Sequence, residues 1–346
     1  MNIQERINYF WEGKKPDQIP YTIYWNELRH TVDNPAWKPL FEKGLGVTYG
    51  VSTFSSEMKN VDYKTKSEEK NEKKIKYEIM STPVGEIYTS FEEGWRQKYW
   101  IENKEDYKVM KYIVENTEFE TAFDNYNYQI DKIEPNGIKL LQIGRTPIQT
   151  ILVDYVGLEN FAFHLIDYKE EMMELYEALL DNYRKKVKIT AEGPGEFVQV
   201  LENFTAETMG PERYKKFHMP VYEELFPILQ ESGKKVGTHY DGKLASCKDL
   251  ISEAPIDLIE SLTAPPEGDM PLEECRKQWP EKLFWVNINV SKYQLPEEKL
   301  RNHVFELIEK ASDNGKRLAF EVSEQYPENW EDSMKVVLDA LNEIKI

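Results

Sequence analysis

The sequence predicts an α/β protein that folds as a single (β/α)8 TIM barrel over residues 1–346, with an N-terminal β-hairpin insertion near residues 48–95. From about residue 190 onward, short apolar runs alternate with helix-period segments, which is typical of a parallel sheet with helical crossovers. The apolar runs end in polar residues, as barrel strands do at the face that carries functional groups. Neither a GxGxxG nor a P-loop motif occurs, which disfavours the open nucleotide-binding sheets.

The first half of the chain is less regular than the second. The pattern predicts strands over residues 21–25 and 138–143, and helices over 104–118 and 165–189. Residues 48–95 are rich in Lys and Glu and alternate as antiparallel strands with a solvent-facing side do. We expect this insertion to form a lid at the barrel mouth.

The second half supplies most of the predicted barrel. Its apolar runs are rich in Val, Ile, Leu and Phe, as strands buried on both faces are. The predicted strands are residues 195–202, 234–241, 255–262, 281–290 and 316–324. The predicted helices are residues 211–233, 244–254, 272–279, 296–315 and 329–344. Several of them open with Pro and close with Gly, the usual asymmetry of helix ends.

Composition limits the partners of the protein. The chain has 346 residues, with 44 Lys plus Arg against 62 Asp plus Glu, for a net charge of −18. This balance disfavours nucleic acid and anionic membranes, which bind to clustered cations. There is no signal-peptide pattern and no membrane-length apolar run, and the two cysteines, Cys247 and Cys275, form no CxxC pair. We therefore expect a cytoplasmic monomer or homodimer.

Polar residues at the strand ends are the candidates for a shared site. They are Glu202 and Asn203, His239 and Asp241, Glu260, Asn287 and Asn289, and Glu324. In a barrel, the carboxyl ends of successive strands meet at one face, so these side chains are expected to converge. For each residue alone, the alternative is that a strand simply ends where a polar loop begins.

Several segments resemble the uroporphyrinogen decarboxylase superfamily, over essentially the whole chain. They are ERINYFWEGKKPDQIP (5–20), TPVGEIY (82–88), the long segment from ENFTAETMGPERYKKF to GTHYDG (202–242), IDLIESLTAPPEGDMPLEECRKQW (256–279) and FEVSEQYPENW (320–330). The resemblance implies a (β/α)8 barrel with one of two chemistries. One is porphyrinogen decarboxylation without a cofactor. The other is methyl transfer involving corrinoid proteins, often with zinc at the barrel mouth, and the later segments are similar to this branch.

The sequence departs from both patterns. Decarboxylases of the superfamily carry an Arg-rich loop after the first strand, whereas YTIYWNELRHTVDNPAW offers only Arg29. A substrate with many carboxylates needs several Arg clamps. The zinc-dependent methyltransferases hold the metal with His-x-Cys and a distant Cys. Here the matching positions are His239, Asp241 and Glu324, so carboxylates stand where the thiolates would be.

The resemblance and the strand ends together give a set of candidate site residues. Metal ligands are predicted at His239, Glu260 and Glu324, with zinc as the ion. A harder, oxygen-rich ligand set favours an oxygen-bound methyl donor such as a methyl ether. Catalytic roles are predicted for His239, Asp241 and Glu202. Substrate contacts are predicted for Tyr24, Trp25, Tyr240 and Asn287, since aromatic side chains can hold a methyl ether or a methylated ammonium.

The predicted function is a methyltransferase or demethylase component. It would bind a small methylated substrate and pass the methyl group to the corrinoid of a separate partner protein. Two other functions stay open: a cofactor-independent decarboxylase and a non-enzymatic ligand-binding barrel. At the level of residues, His239 can also be a hydrogen-bonded core histidine, and Asp241 can cap the following helix.

Overall fold

A closed parallel barrel forms the centre of the fold. The computed structural model describes residues 1–322 and 325–344, and within them eight parallel strands close into one barrel. In chain order the barrel strands are Tyr21–Tyr24, Leu45–Val51, Gly137–Gln142, Phe197–Val200, Lys235–His239, Leu258–Thr263, Leu283–Asn287 and Leu318–Val322. Each strand pairs with its sequence neighbour among these eight, and the first pairs with the eighth. The predicted (β/α)8 TIM barrel is confirmed.

Side chains two residues apart in each barrel strand lie on the same face of the sheet. Phe197, Leu258 and Leu283 come early in their strands and pack with Trp285 in one buried apolar cluster. Polar residues two positions later on the same faces include Gln199 and Glu260. The carboxyl ends of the strands therefore present a polar layer above an apolar one.

The N-terminal helix, Ile3–Trp11, packs on the apolar layer. Its side chains Ile3, Ile7 and Phe10 are buried in the same cluster, and the ring of Phe10 meets Trp285 edge to face at 5.7 Å. A capping box at Asn2 and Glu5 fixes where this helix begins.

The second barrel strand overlaps the start of the predicted insertion. Residues 48–51 belong to the barrel strand Leu45–Val51, and not to an insertion that starts at residue 48. Gly46 and Gly50 weaken the strand pattern of this segment, because glycine is uncommon in strands. In the structure a Cβ at Gly50 would collide with the Gln142 side chain, so the absent side chain has a packing reason.

The remaining helices of the barrel unit lie between the strands and at the C-terminal end. This unit comprises residues 1–53 and 123–144 and the chain from 193 onward. Its α-helices after the first are Trp25–Leu28, Trp37–Glu42, Asp124–Asn127, Ala206–Arg213, Met219–Glu231, Lys248–Glu253, Leu272–Gln278, Glu297–Ala311 and Trp330–Glu343. A π-helical stretch, Tyr214–His218, joins Ala206–Arg213 to Met219–Glu231.

A second compact unit comprises residues 54–122 and 145–192. Its antiparallel strands are Phe54–Met58, Asp62–Lys70, Lys73–Thr82, Gly85–Glu92, Trp95–Lys98 and Thr117–Thr121. Its helices are Lys104–Glu115, Pro147–Gln149, the π-helical Thr150–Val156, Leu158–Asp167 and Lys169–Glu192. The β-rich insertion is thus confirmed, while the lid and the assignment of residues 1–346 to one domain stay predictions. Over the described part of the chain, every helix is too short or too polar to cross a membrane.

Candidate active site

A buried acid–imidazole pair joins the last residue of the fifth barrel strand to the third residue of the sixth. His239 and Glu260 are register partners on adjacent strands, and His239 Nδ1 lies 3.0 Å from Glu260 Oε2. His239 is 6% exposed and Glu260 is not exposed at all. A carboxylate buried this deeply requires hydrogen-bonding partners, and the imidazole is one of them. The structure therefore brings together two of the predicted metal ligands.

Side chains from across the barrel complete the environment of Glu260. The Tyr24 hydroxyl donates a short hydrogen bond to Glu260 Oε1, and Gln199 Nε2 donates to the same oxygen at 2.5 Å. Gln199 also donates to the Tyr24 hydroxyl oxygen at 3.1 Å, while Gln142 Nε2 donates to Gln199 Oε1 at 3.0 Å. The first, third, fourth and sixth strands all contribute to this network. The sequence analysis missed Gln199 and Gln142.

Acidic side chains lie on both sides of the His239 imidazole. Asp241 Oδ2 lies 3.5 Å from His239 Nε2 and accepts a hydrogen bond from Asn203 Nδ2 at 3.2 Å. Burial alone would lower the pKa of His239, but the Glu260 and Asp241 carboxylates outweigh it and raise the pKa to about 10. For Asp241, burial raises the pKa, and the larger combined effect of His239 and Asn203 holds it below its usual value. His239 therefore lies between two acidic side chains, which favour its protonated form.

Tyr24 acts as a neutral donor. Burial, together with the nearby charges of Glu260 and Glu321, raises the pKa of Tyr24 well above its usual value. The phenol keeps its proton at neutral pH and can donate it in the hydrogen bond to Glu260.

A second buried acid, Glu321, lies on the eighth strand. Its Oε1 accepts a hydrogen bond from the Ser261 amide at 2.8 Å, and its Oε2 has no hydrogen-bond partner among the described residues. Burial and the charge of Glu260 raise the pKa of Glu321 well above its usual range. Ser261 has a positive φ of 57° at an irregularity in the register between Glu260 and Leu262. The sequence analysis placed the acid of this strand at Glu324, which lies outside the described residues.

Glu202 and Tyr240 lie in a different cluster. Glu202 Oε1 accepts a hydrogen bond from the Tyr222 hydroxyl at 2.8 Å, and the Tyr240 hydroxyl lies 2.9 Å from that of Tyr222 and 3.0 Å from that of Tyr214. Glu202 and these three tyrosines are fully buried. Successive residues of an extended segment face opposite sides, so Tyr240 points away from the site that His239 faces. Tyr240 and Glu202 thus lie apart from the His239–Glu260 pair, and their predicted roles stay predictions.

A small cavity of about 160 Å³ shares side chains with the hydrogen-bond network around Glu260. Its lining includes Tyr24, Trp25, Tyr49, Gln142 and Gln199. Two of these side chains, Tyr24 and Gln199, also hydrogen-bond to Glu260. None of the described residues that line this cavity is charged. Of the predicted substrate contacts, Tyr24 and Trp25 line the cavity, while Asn287 is half-buried opposite Glu321 in the strand register.

The described residues supply a metal site only in part. Among residues 1–322 and 325–344, no group of three His, Cys, Asp or Glu side chains is arranged to hold a metal ion. Cys247 and Cys275 are buried free thiols, and burial raises their pKa values to about 11 and about 12. Thiols that stay protonated are poor ligands, so neither cysteine is a good candidate for a zinc donor.

The barrel and the cluster at its strand ends define a (β/α)8 protein with a polar site at the carboxyl ends of its strands. Residues 148–344 match the family model described as uroporphyrinogen decarboxylase (URO-D). The chain belongs to the uroporphyrinogen decarboxylase family.

Two solved structures are similar to the chain at low sequence identity, and the first of them shares its fold. A methyltransferase from Methanosarcina mazei is 9% identical with a TM-score of 0.57, and the alignment covers 100% of each chain. A B12-independent methionine synthase from Shewanella sp. W3-18-1 is 13% identical with a TM-score of 0.45, over 95% of this chain and 94% of the other. No curated protein matches the chain.

Proposed function

We propose that this protein is the substrate-binding component of a corrinoid-linked methyl-transfer system. It binds a small methylated substrate near His239 and Glu260, and the methyl group passes to the corrinoid of a separate protein. Family membership and a fold shared with a methyltransferase support the proposal. The observation that carries it is the buried His239–Glu260 pair, fixed by Tyr24 and Gln199 beside a cavity. A buried ionisable pair held by hydrogen bonds, with a raised pKa at His239, is typical of active sites.

The position of His239 supports a role as proton donor to the oxygen of a methyl ether substrate. When the C–O bond of a methyl ether breaks and the methyl group leaves for its acceptor, the electron pair stays on the oxygen. His239, held as an imidazolium by Glu260 and Asp241, supplies a proton to that oxygen. Tyr24 and Gln199 keep Glu260 in place, which fixes the orientation of the ring.

Zinc is part of the proposal through His239, Glu260 and Glu324. Two of these donors are adjacent, since His239 Nδ1 and Glu260 Oε2 are 3.0 Å apart. Bound there, zinc would supply Lewis acidity towards a substrate oxygen, in place of the proton on His239.

A metal assay tests this part of the proposal. The protein is purified without chelator and its zinc content is measured, together with His239→Ala and Glu324→Gln. The matched control is His30→Ala, because His30 is exposed and contacts Arg29 instead of the site. We expect zinc near one per chain in the wild type and the control, and its loss in the other two variants. A wild type without zinc would overturn the zinc site and leave the proton mechanism to be tested.

A transfer assay tests the reaction itself. The protein is incubated with cob(I)alamin and either 2-methoxyphenol or tetramethylammonium, and methylcobalamin is followed by its absorbance. We expect methylcobalamin from the ether in the wild type and in His30→Ala, and its loss in His239→Ala. If neither compound yields methylcobalamin, the proposed methyl transfer is refuted.

Decarboxylation of a porphyrinogen has less support from the geometry. The cavity beside Glu260 lacks charged residues among its described lining, whereas a substrate with many carboxylates needs cationic clamps. Release of carbon dioxide from uroporphyrinogen would nevertheless favour this alternative over methyl transfer.

A further inference from the structure

The second compact unit has an edge strand that is paired on one side only. Its four-stranded sheet consists, in spatial order, of Asp62–Lys70, Lys73–Thr82, Gly85–Glu92 and Trp95–Lys98. Among the described strands, the edge strand Asp62–Lys70 pairs only with Lys73–Thr82. All nine of its side chains are exposed except that of Glu68, which is half-buried. The backbone groups on its outer side are therefore able to pair with another strand.

The hairpin turn determines which residues of the edge strand face this open side. Asn71 and Glu72 form the turn, and their φ values of 51° and 62° are typical of a type I′ turn. Lys70 and Lys73 are then a hydrogen-bonded pair, and such pairs recur at every second residue along the two strands. The even-numbered residues of the edge strand thus direct their backbone groups to the neighbouring strand, and the odd-numbered residues direct theirs to the open side.

A second copy of the edge strand fits this side in one antiparallel register. Odd-numbered residues must lie opposite odd-numbered residues, so that their backbone groups meet. With a twofold axis at Lys66, Lys64 lies opposite Glu68 of the second copy. In the same register, Asp62 lies opposite Lys70 of the second copy. The symmetry repeats both contacts, whereas a shift of the axis by one residue in either direction places lysine opposite lysine.

The one like-charge contact of this register lies on the axis, where Lys66 meets its own copy. Lys66 Nζ lies 3.3 Å from Glu68 Oε2 of the same chain and 5.8 Å from the centre of the Tyr77 ring. Its charge thus has partners on its own chain, which reduces the repulsion between the two copies. Charged edge strands usually oppose pairing with other chains. Here the order of the charges makes the edge strand complementary to itself.

We propose that the protein forms a homodimer by antiparallel pairing of two edge strands, with the twofold axis at Lys66. The two four-stranded sheets then form one continuous sheet across the interface. The inference goes beyond the proposed methyl transfer and does not depend on it.

Sedimentation of the full chain over a range of concentrations tests the proposal. We expect a reversible dimer of twice the chain mass of 40.9 kDa. Thr65→Pro should abolish the dimer, because it removes an amide that faces the open side and leaves the hydrogen bonds to Lys73–Thr82 in place. Thr65→Val keeps the amide and is the matched control, with folding of both variants checked by circular dichroism. A wild type that is monomeric at every concentration, or a folded Thr65→Pro that dimerises as the wild type does, would overturn the proposal.

Charge reversal tests the register. Lys64→Glu and Glu68→Lys each place like charges opposite one another twice, so each variant alone should dimerise at least about tenfold more weakly than the wild type. An equimolar mixture of the two variants restores opposite charges at these positions and should form a heterodimer with nearly the affinity of the wild type. A mixture that associates no better than either variant alone would contradict this register.

Cysteine cross-linking tests the position of the axis. Lys66→Cys should form a disulfide-linked dimer with copper–phenanthroline as the oxidant, because residue 66 lies opposite itself. Lys70→Cys is the matched control on the same strand, since residue 70 lies about 27 Å from its own copy and should not cross-link. The native cysteines, Cys247 and Cys275, are buried. Equal cross-linking of the two variants would overturn the proposed axis.

Discussion

Replacing His218 by Phe should make the protein more resistant to acid. His218 is fully buried against aromatic rings, stacked on Tyr214 at 5.2 Å and edge to face with Phe204 at 5.5 Å. Neither ring nitrogen has a hydrogen-bond partner among the described residues. Burial therefore lowers the pKa of His218 from 6.5 to about 3.

The sign of the effect follows from proton uptake. As pH falls below 6.5, the unfolded chain binds a proton on His218, but the folded chain does not until the pH reaches about 3. The contribution of neutral His218 to stability is thus complete above pH 6.5 and is lost as pH falls through this window. Between pH 8 and pH 5, this one group should lower the free energy of unfolding by about 2 kcal/mol.

Urea unfolding at several pH values between 8 and 5 measures this difference. His218→Phe keeps the ring packing but has no imidazole to bind a proton. Its free energy of unfolding should therefore fall less between pH 8 and pH 5 than that of the wild type. His30→Phe, at an exposed position, should follow the wild type. Parallel acid profiles for wild type and His218→Phe would refute the argument that a buried neutral imidazole causes the loss.

Two further predictions concern the polar layer of the barrel. Gly50→Ala should displace the Gln142 side chain, break its hydrogen bond to Gln199 and lower the free energy of unfolding by about 1–3 kcal/mol. The double variant with Gln142→Ala should be less destabilised than the sum of the two single variants, and additive losses would contradict the contact. In chelator-treated protein, the raised pKa of Glu321 means that its contribution to stability is complete below pH 4.5 and is lost as pH rises. The free energy of unfolding of Glu321→Gln, measured in urea from acid to alkaline pH, should therefore fall less with rising pH than that of the wild type. The same pH dependence in both proteins would show that Glu321 is already ionised in the folded wild type.

The barrel was predictable because buried strands and amphipathic helices leave different hydrophobic periods in the sequence. The second strand was not, because Gly46 and Gly50 weaken its pattern. Those glycines are explained only by three-dimensional neighbours, such as the Gln142 side chain that passes over Gly50.

The candidate site was predicted only in part, for a similar reason. His239 and Glu260 were found because both stand near the end of an apolar run. Gln199 was missed because a single neutral amide inside a strand gives no charge signal, although it lies two residues after the inward-facing Phe197. The same alternation links Ala319 to Glu321. Applying it along each strand, instead of choosing terminal residues, would have selected Gln199 and Glu321.

The amides of Gln142 and Gln199 have a fixed polarity. Gln199 Nε2 donates to Glu260 and to Tyr24, so its carbonyl oxygen accepts from Gln142. Without the Glu260 acceptor, the main reason for this orientation would be lost, and both amides would be able to rotate. One buried acceptor therefore fixes the orientation of two amides that line the cavity.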